Sequence, residues 1–382
     1  MPFQHRPHEI DFKKPTIFCL GGAEAVENQY ISPAGSDHDE TRPNFKEILG
    51  MAKIAETALG GKGVRSNPDT PPILSFASSS TIGNKTHLLL SNRWLKRWGS
   101  PDARLLAETF LPLISSDFKI KQDGTIAGKH LPLEDTIERL SKLTLFGQSY
   151  GGSLARQICV AQERHMEQLG YNFKEIATLF DSIVFIGVGP VTNAIIDQSP
   201  LNSVYFAHAG DQVSRQRIRD FDTLIPQETG ETLLIKGLHH NTTVVWLAKP
   251  ENPFTFVNCN GEKETIDDNS MHNIRYYTAF SLSDPVRSAI FESALNNAVH
   301  RTGPITMEQL LSFNAERYAP PAEYQDPSPT FPKVPTRETT RSYSEMVISK
   351  AMERATREWE EETGLFQSRL QRSANTGKQH PL

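Results

Sequence analysis

The chain has 382 residues, and its 40 basic and 45 acidic residues leave a formal net charge of −5. This length can bury a sizeable core, while the near balance of charge and the lack of a basic, aromatic-interleaved patch argue against a nucleic-acid partner. The longest apolar run, SIVFIGVGPV, is too short to cross a bilayer, and the amino terminus lacks the apolar core of a secretory signal. We therefore expect a soluble protein with no transmembrane segment.

The three cysteines, Cys19, Cys159 and Cys259, are odd in number and far apart along the chain. They form neither a disulfide framework nor a metal-ligand spacing. Cys159 falls within a predicted helix, where it would pack as a small hydrophobic residue. This usage suits a reducing compartment, so the expected location is the cytoplasm.

In chain order, short apolar runs alternate with longer amphipathic stretches. The apolar runs predict strands over 15–22, 71–80, 142–146, 182–189, 203–210 and 232–237. The amphipathic stretches predict helices over 44–59, 101–114, 133–141 and 153–170. Strands that are apolar on both faces and separated by helices indicate an α/β fold, with a mainly parallel sheet and helices on both faces.

Local signals support two of the helices. Asn44 and Glu47 have the spacing of a capping box, and Gly170 is a natural stop for the helix over 153–170. In that helix, four residues at helical spacing form one stripe that should face the core: Leu154, Ile158, Ala161 and His165.

The composition changes after residue 317. Six prolines lie between Pro320 and Pro335, which favours an extended linker or a strap over 318–340. An amphipathic helix is predicted over 341–372, followed by a flexible tail over 373–382, so the main domain covers 1–317. The helix would either dock on the main domain or bind a protein partner.

The segment GQSYG, residues 147–151, lies between the strand LTLF and a predicted helix. Gly147 and Gly151 lack a Cβ, so the strand and the new helix can approach closely, and Ser149 is forced into a strained turn. This pattern is typical of a nucleophile elbow, which exposes a serine hydroxyl at the carboxyl edge of a sheet. The alternative, a glycine-rich turn whose serine only caps the helix, is weaker because both flanking elements fit the elbow.

A serine nucleophile needs a base and an acid that orients the base. After the strand SVYFA the chain reaches Asp211, and after TLLIK it reaches His239 and His240, so we expect Asp211 as the acid and His239 as the base. His240 is the alternative base, and His272 is a rival that a long excursion after the last strand could bring back.

Other acids and histidines fit these roles less well. Asp181 precedes the strand over 182–189 and should lie at the opposite edge of the sheet, while His165 and His208 are expected as packing or surface residues. The oxyanion hole should combine the N–H of Tyr150 with a donor from Gly22 or Ala23. A tight turn explains the glycines at 21–22 nearly as well.

With these residues in place, the chain resembles the α/β-hydrolase superfamily of serine esterases, lipases and thioesterases over roughly residues 15–300. The resemblance rests on GQSYGG, AHAGDQV and KGLHHN. It implies an α/β-hydrolase-like domain that cleaves an ester or thioester of a small molecule or lipid through an acyl-enzyme on Ser149, with no metal or organic cofactor.

The stretch AHAGDQVSRQRIRDF also resembles a segment of bacterial secreted lipase effectors, and the acidic cluster EWEEETG resembles a tail signal of effectors exported by type IV secretion systems. That likeness implies export into a host cell, although a solvated helix end explains the acidic cluster as well. The chain differs from those effectors in carrying GVGPV where they place an aspartate, which leaves the acid open. A non-catalytic interaction protein with a hydrolase-like core and an acyltransferase are the alternative functions.

Overall fold

The computed structural model describes residues 14–21, 31–33, 51, 54–55, 58, 73–76, 101–191, 200–217, 232–237, 241–258, 261–281 and 283–312. The predicted strap over 318–340, the helix over 341–372 and the tail over 373–382 lie outside these residues. So do Gly22, Ala23, Cys259, His239 and His240.

An eight-stranded sheet forms the centre of the described chain, in the order β2-β3-β1-β6-β7-β8-β10-β9. Six strands, from β3 to β10 in that order, are parallel, and the two outermost strands are antiparallel to their neighbours. The eight strands are β1 (Thr16–Leu20), β2 (Ile31–Pro33), β3 (Ile73–Phe76), β6 (Leu143–Gln148), β7 (Val184–Val188), β8 (Asn202–His208), β9 (Leu233–Lys236) and β10 (Thr242–Leu247).

Five short strands form two smaller sheets. A hairpin pairs β4 (Lys119–Ile120) with β5 (Ile126–Ala127), and an antiparallel sheet has the order β12-β11-β13, with β11 (Phe254–Val257), β12 (Lys263–Ile266) and β13 (Phe280–Ser281). Nine helices have defined ends in the described ranges: α1 (Pro101–Thr109), α2 (Leu111–Ile114), α3 (Leu133–Leu140), α4 (Tyr150–Leu169), α5 (Phe173–Asp181), α6 (Gln212–Arg217), α7 (Arg275–Thr278), α8 (Pro285–Val299) and α9 (Met307–Leu310).

The sheet is covered on both faces, as its apolar strands predicted. Alternate residues of a strand point to opposite faces. In β1, Phe18 and Leu20 pack with α1, α2, α4 and α5, whereas Ile17 and Cys19 pack with α8 and with the helical residues Met51, Ala55 and Ala58. The central strands β6, β7, β8 and β10 are buried along their whole length. The predicted α/β architecture with a mainly parallel sheet is confirmed.

Several predicted elements are found with changed boundaries. The helix predicted over 101–114 is two helices, α1 and α2, because Pro112 cannot continue a helix interior and lies instead in the first turn of α2. The helix predicted from residue 153 begins at Tyr150, and it ends at Gly170, which has a left-handed φ of 98°. The predicted stripe of α4 is buried, including His165, and Cys19 and Cys159 are buried too.

The strand predicted over 232–237 runs opposite to the direction that would place His239 at the carboxyl edge of the sheet. It is β9, and it pairs antiparallel with β10, a parallel strand that the sequence analysis missed. The carboxyl end of β9 therefore points to the amino edge of the parallel strands. Gly237 and Asn241, the described residues on either side of 238–240, lie there: the N–H of Gly237 donates to the Thr242 carbonyl, and the Asn241 side chain donates to Asp181.

After β10 the chain makes an excursion over residues 248–284 before α8 begins. It contains the small antiparallel sheet and α7, and buries Tyr276 and Tyr277 completely. Arg287, which is also fully buried, donates to the Tyr276 carbonyl at 2.6 Å and to the Ala248 carbonyl. This guanidinium ties the excursion to the end of β10.

The amino edge of the parallel sheet is closed by polar contacts. Asp181 lies at the end of α5, directly before β7 as predicted, and Asn202 begins β8 and donates to the Ile305 carbonyl. Arg301 donates to the Leu143 carbonyl at 2.6 Å, the Ser182 carbonyl at 3.2 Å, the Ala298 carbonyl and the Thr144 hydroxyl. No helix within the described ranges combines the length and the apolar character that a bilayer-spanning helix requires.

Candidate active site

Ser149 lies at the turn where β6 becomes α4. Its φ of 51° and ψ of −116° are strained for a residue with a Cβ. The turn is fixed to the sheet because the Ser149 N–H donates to the Val188 carbonyl of β7 at 2.9 Å. Only 8% of the residue is exposed, so the hydroxyl belongs to a recessed site.

The glycines around Ser149 are required by close packing. A Cβ at Gly151 would lie 2.1 Å from the Leu20 carbonyl oxygen at the end of β1, and a Cβ at Gly147 would lie 2.9 Å from the Gly151 backbone. No side chain fits at either distance. The sequence expectation that these glycines let the strand and the helix approach is confirmed, and with it the elbow geometry.

Asp211 follows β8 and is completely buried. Its Oδ1 accepts hydrogen bonds from the backbone N–H groups of Val213 at 2.9 Å and Ser214 at 3.0 Å. Its Oδ2 accepts from the Ser214 hydroxyl at 2.7 Å, from the Tyr277 hydroxyl and from the ring of His272. Five donors therefore hold one carboxylate in a fixed orientation.

This environment keeps Asp211 ionised. Burial alone would raise the pKa of the carboxyl, but the hydrogen bonds from His272, Tyr277 and Ser214 and the attraction of the imidazole outweigh burial and lower the pKa. A buried carboxylate with a lowered pKa accepts hydrogen bonds and does not donate them. The Asp211 carboxylate therefore requires a donor on the facing nitrogen of His272.

His272 contacts Asp211 through Nδ1, at 2.8 Å from Oδ2. Since Asp211 is the acceptor, Nδ1 carries the proton and Nε2 is left as an acceptor in the neutral ring. Nε2 is buried and has no hydrogen-bond partner in the described part of the chain. A ring nitrogen with this tautomer, held by an acid, can take a proton from a hydroxyl that reaches it.

Gly189 shows where the ring of His272 lies relative to the turn at Ser149. A Cβ at this position would lie 3.1 Å from Cε1 and 3.3 Å from Nδ1 of His272, so the imidazole lies against the glycine backbone at the end of β7. Gln148 and Val188 are register partners in β6 and β7, so Ser149 and Gly189 follow side by side on neighbouring strands, which lie about 4.8 Å apart. The ring thus lies over the strand between the one that ends at Ser149 and the one that leads to Asp211.

Backbone contacts bring His272 to this position. The Gln212 N–H donates to the Ser270 carbonyl at 3.2 Å, which joins the excursion to the start of α6, directly after Asp211. Met271 has a φ of 48°, the second strained residue of this region, and its side chain occupies the space that a Cβ at Gly210 would need. The strained residue turns the chain so that the next side chain faces the sheet.

The structure thus bonds Asp211, a predicted site residue, to the rival histidine, and it places Ser149 at the end of the strand next to Gly189, which the histidine ring contacts. His239 and His240 lie outside the described residues, and the reason for choosing them was wrong, because β9 is antiparallel and leads away from the edge that carries Ser149. Tyr150 is the first residue of α4, where a helix N-terminus directs N–H groups, and Gly22 and Ala23 are outside the described ranges.

Four residues of this region were missed from the sequence: Gly189, Ser214, Tyr277 and Arg287. The signal for Gly189 was present in GVGPV, where a glycine follows a buried strand. Tyr277 lies 66 positions after Asp211 in the sequence, and Arg287 lies further still. No spacing rule connects residues so far apart. His208 was expected as a packing or surface residue, and it is fully buried, where burial lowers its pKa to about 3.

One family model, described as oxalate biosynthetic component 1, C-terminal, matches residues 75–208. The matched region is similar to that family over the strands β6, β7 and β8 and includes Ser149, but it ends before Asp211 and His272. No curated protein matches the chain.

Proposed function

We propose that the protein is a serine hydrolase with an α/β-hydrolase-like fold, in which Ser149 is the nucleophile, His272 the general base and Asp211 the orienting acid. The observation that supports the proposal is the His272 ring, which is bound to Asp211 through Nδ1, has no partner on Nε2 in the described part of the chain and lies against Gly189, at the end of the strand next to the one that ends at Ser149. The chain order serine, acid, histidine is that of α/β hydrolases.

In the proposed cycle, Nε2 of His272 takes the proton of the Ser149 hydroxyl as the oxygen attacks the acyl carbon of an ester or thioester. Asp211 stabilises the imidazolium that forms, and the ring then gives the proton to the leaving alcohol or thiol. Water attacks the resulting acyl-enzyme with the same ring as base, which releases a carboxylic acid and restores the serine. The Tyr150 N–H at the start of α4 supports the developing oxyanion.

The family match bears on the choice of substrates. The name of the matched family refers to oxalate biosynthesis, and the product of ester or thioester hydrolysis is a carboxylic acid. We therefore include acyl donors that carry a second carboxylate among the substrates to be tested, beside short- and long-chain acyl esters. An acceptor alcohol added to the same reactions separates a hydrolase from an acyltransferase, because a transferase forms the new ester.

The decisive experiment is labelling with a fluorophosphonate, which reacts with an activated serine. We expect the wild-type protein to be labelled on the peptide that contains Ser149 and to hydrolyse at least one ester of the panel. Ser149→Ala should lose both. The matched control is Ser153→Ala, which removes a buried hydroxyl one turn further along α4 and should keep both.

A second comparison assigns the base. His272→Ala should abolish labelling, because the hydroxyl then lacks its proton acceptor, whereas a protein that only binds a partner would show no labelling in any form. Equal labelling of wild type and Ser149→Ala, or a label found on another residue, would disprove the proposed function.

A further inference from the structure

Tyr277 lies behind the acid of the proposed site, on the side away from solvent. Its side chain is fully buried, and its hydroxyl donates to Oδ2 of Asp211, the same oxygen that accepts from Nδ1 of His272. Among the described residues, no hydrogen bond joins the phenol to Ser149. Any effect on the reaction must therefore pass through the carboxylate.

The ring of Tyr277 has little freedom to move. It packs against the ring of His208, with centroids 4.6 Å apart, and its neighbour Tyr276 is held by the hydrogen bond from Arg287 to the Tyr276 carbonyl. Burial and the nearby Asp211 charge raise the pKa of the Tyr277 phenol well above its usual value, so the hydroxyl keeps its proton and remains a donor. The phenol is thus a fixed donor at a fixed carboxylate oxygen.

Three side chains donate hydrogen bonds to Oδ2 of Asp211, and they differ in how they can affect the orientation of the carboxylate. Ser214 lies three residues along the chain and can follow the loop, and His272 is the group to be oriented. Tyr277 belongs to the excursion that carries His272, so its bond fixes the distance between that excursion and the acid. Without it, Oδ2 could rotate toward Ser214 and away from the imidazole.

We propose that Tyr277 is a positioning residue that holds the Asp211 carboxylate in register with His272. This proposal rests on the function proposed above for Ser149, Asp211 and His272. Hydrogen bonds to charged groups are the stronger ones in proteins, so we expect Tyr277→Phe to lower kcat about 10- to 100-fold while KM changes little.

A double-mutant cycle separates positioning from a general loss of packing. In Asp211→Asn the carboxylate is gone, so adding Tyr277→Phe should cost little more turnover if the phenol acts only through that carboxylate. The control is Tyr171→Phe, which removes another buried hydroxyl, one bonded to Thr136 and to two carbonyl oxygens far from the site. This control should lose stability and keep kcat.

An activity-independent measurement distinguishes failure of this proposal from failure of the proposed function. The Nδ1 proton that His272 donates to Asp211 should give a downfield proton resonance that disappears in Asp211→Asn. We expect Tyr277→Phe to shift this resonance and Tyr171→Phe to leave it unchanged. A shifted resonance in a protein that no fluorophosphonate labels would reject the hydrolase and keep the positioning role.

Full kcat and an unshifted resonance in Tyr277→Phe, or losses that add fully in the double mutant, would overturn the proposal. If the phenylalanine variant does not fold, 3-fluorotyrosine placed at position 277 keeps the volume nearly unchanged and makes the phenol a stronger donor. The proposal requires that this replacement move the same resonance, and an unmoved resonance rejects it.

Discussion

The carboxyl and amino edges of the parallel sheet are made by the same strands, yet their side chains differ in kind. At the amino edge, the Asn241 side chain donates a hydrogen bond to the Asp181 carboxylate. Arg301 donates hydrogen bonds to backbone carbonyl oxygens at the same edge. At the carboxyl edge lie the two non-glycine residues with positive φ in the described ranges, Ser149 and Met271, and a buried imidazole nitrogen without a partner.

This difference teaches where the chain tolerates unfavourable local structure. Strained backbone and unpartnered polar atoms lower stability, so they persist only where the surroundings hold them in place. In the described residues both strained non-glycine residues lie at the carboxyl edge, whereas unpartnered buried polar atoms occur at both edges, among them Thr242 Oγ1 and Arg301 Nε at the amino edge. Substitutions at the two edges should therefore change different measurements.

The largest effect is expected from His272→Ala. Loss of the catalytic base in a serine hydrolase lowers kcat by up to about 10⁶-fold, and the folded state should also lose stability, because the buried Asp211 carboxylate loses one of its five donors. Turnover of the panel esters and thermal unfolding measure the two effects. His239→Ala, beyond a strand that runs toward the amino edge, should keep turnover, and the reverse result would return the base to His239.

Arg301→Ala should have the next largest effect, on stability. The substitution leaves several buried oxygens without their donor, including the Leu143 and Ser182 carbonyls, and we expect a loss on the order of 3 kcal/mol in the free energy of unfolding. The kcat of the protein that remains folded should not change. Urea unfolding and active-site titration together test this, and a stable variant with low kcat would contradict the division between the edges.

Gly189→Ala combines both kinds of effect at one position. The glycine has a φ of 56°, and a Cβ would lie 3.1 Å from the His272 ring, so the ring must move. The contact requires a shift of a few tenths of an ångström, and we expect kcat to fall about 10-fold, because a misplacement near 1 Å costs about 100-fold. Gly124→Ala is the matched control, with a φ of 78° and open space around the new Cβ, and it should cost about 1 kcal/mol of stability and no turnover.

The smallest effect on turnover is expected from Glu292, which lies within α8, between the edges. Burial raises the pKa of its carboxyl from 4.5 to about 7, although the Ser288 hydroxyl donates to it at 2.9 Å. Between pH 4.5 and 7 the folded state then binds more protons than the unfolded state, so stability falls as the pH rises, by about 3 kcal/mol in all. Glu292→Gln should abolish this slope in unfolding experiments across that range, and Glu251→Gln, an exposed carboxyl, should not.

The sequence predicted the parts of the fold that depend on local patterns. Buried strands are apolar throughout, and the elbow at 147–151 has glycines where the backbones of β1 and α4 touch, so both could be recognised without coordinates. The same tetrapeptide, NFKE, occurs at 44–47 and 172–175. Only the first was used to predict a helix, although the second caps α5 with a capping box on Asn172 and Glu175.

What the sequence could not supply was strand direction. Leu233–Lys236 and Thr242–Leu247 are both short apolar strands, and nothing in either reveals that the first is an antiparallel edge strand. Because the first strand was expected to be parallel to the others, His239, which follows it, was predicted to be the base. The contact between Asp211 and His272 joins residues that are 61 positions apart, and it depends on how the excursion over 248–284 folds back, which local periodicity does not encode.

The guanidinium groups of Arg287 and Arg301 lie near opposite ends of α8. Each donates hydrogen bonds to carbonyl oxygens at its own edge of the sheet. The 15 residues of α8 measure about 22 Å, close to the length of a six- or seven-residue strand. The length of α8 therefore matches the distance between the two edges of the sheet. Adding or deleting a single residue in α8 would rotate one guanidinium about 100° around the helix axis relative to the other. The hydrogen bonds of Arg287 and those of Arg301 could then not be kept together.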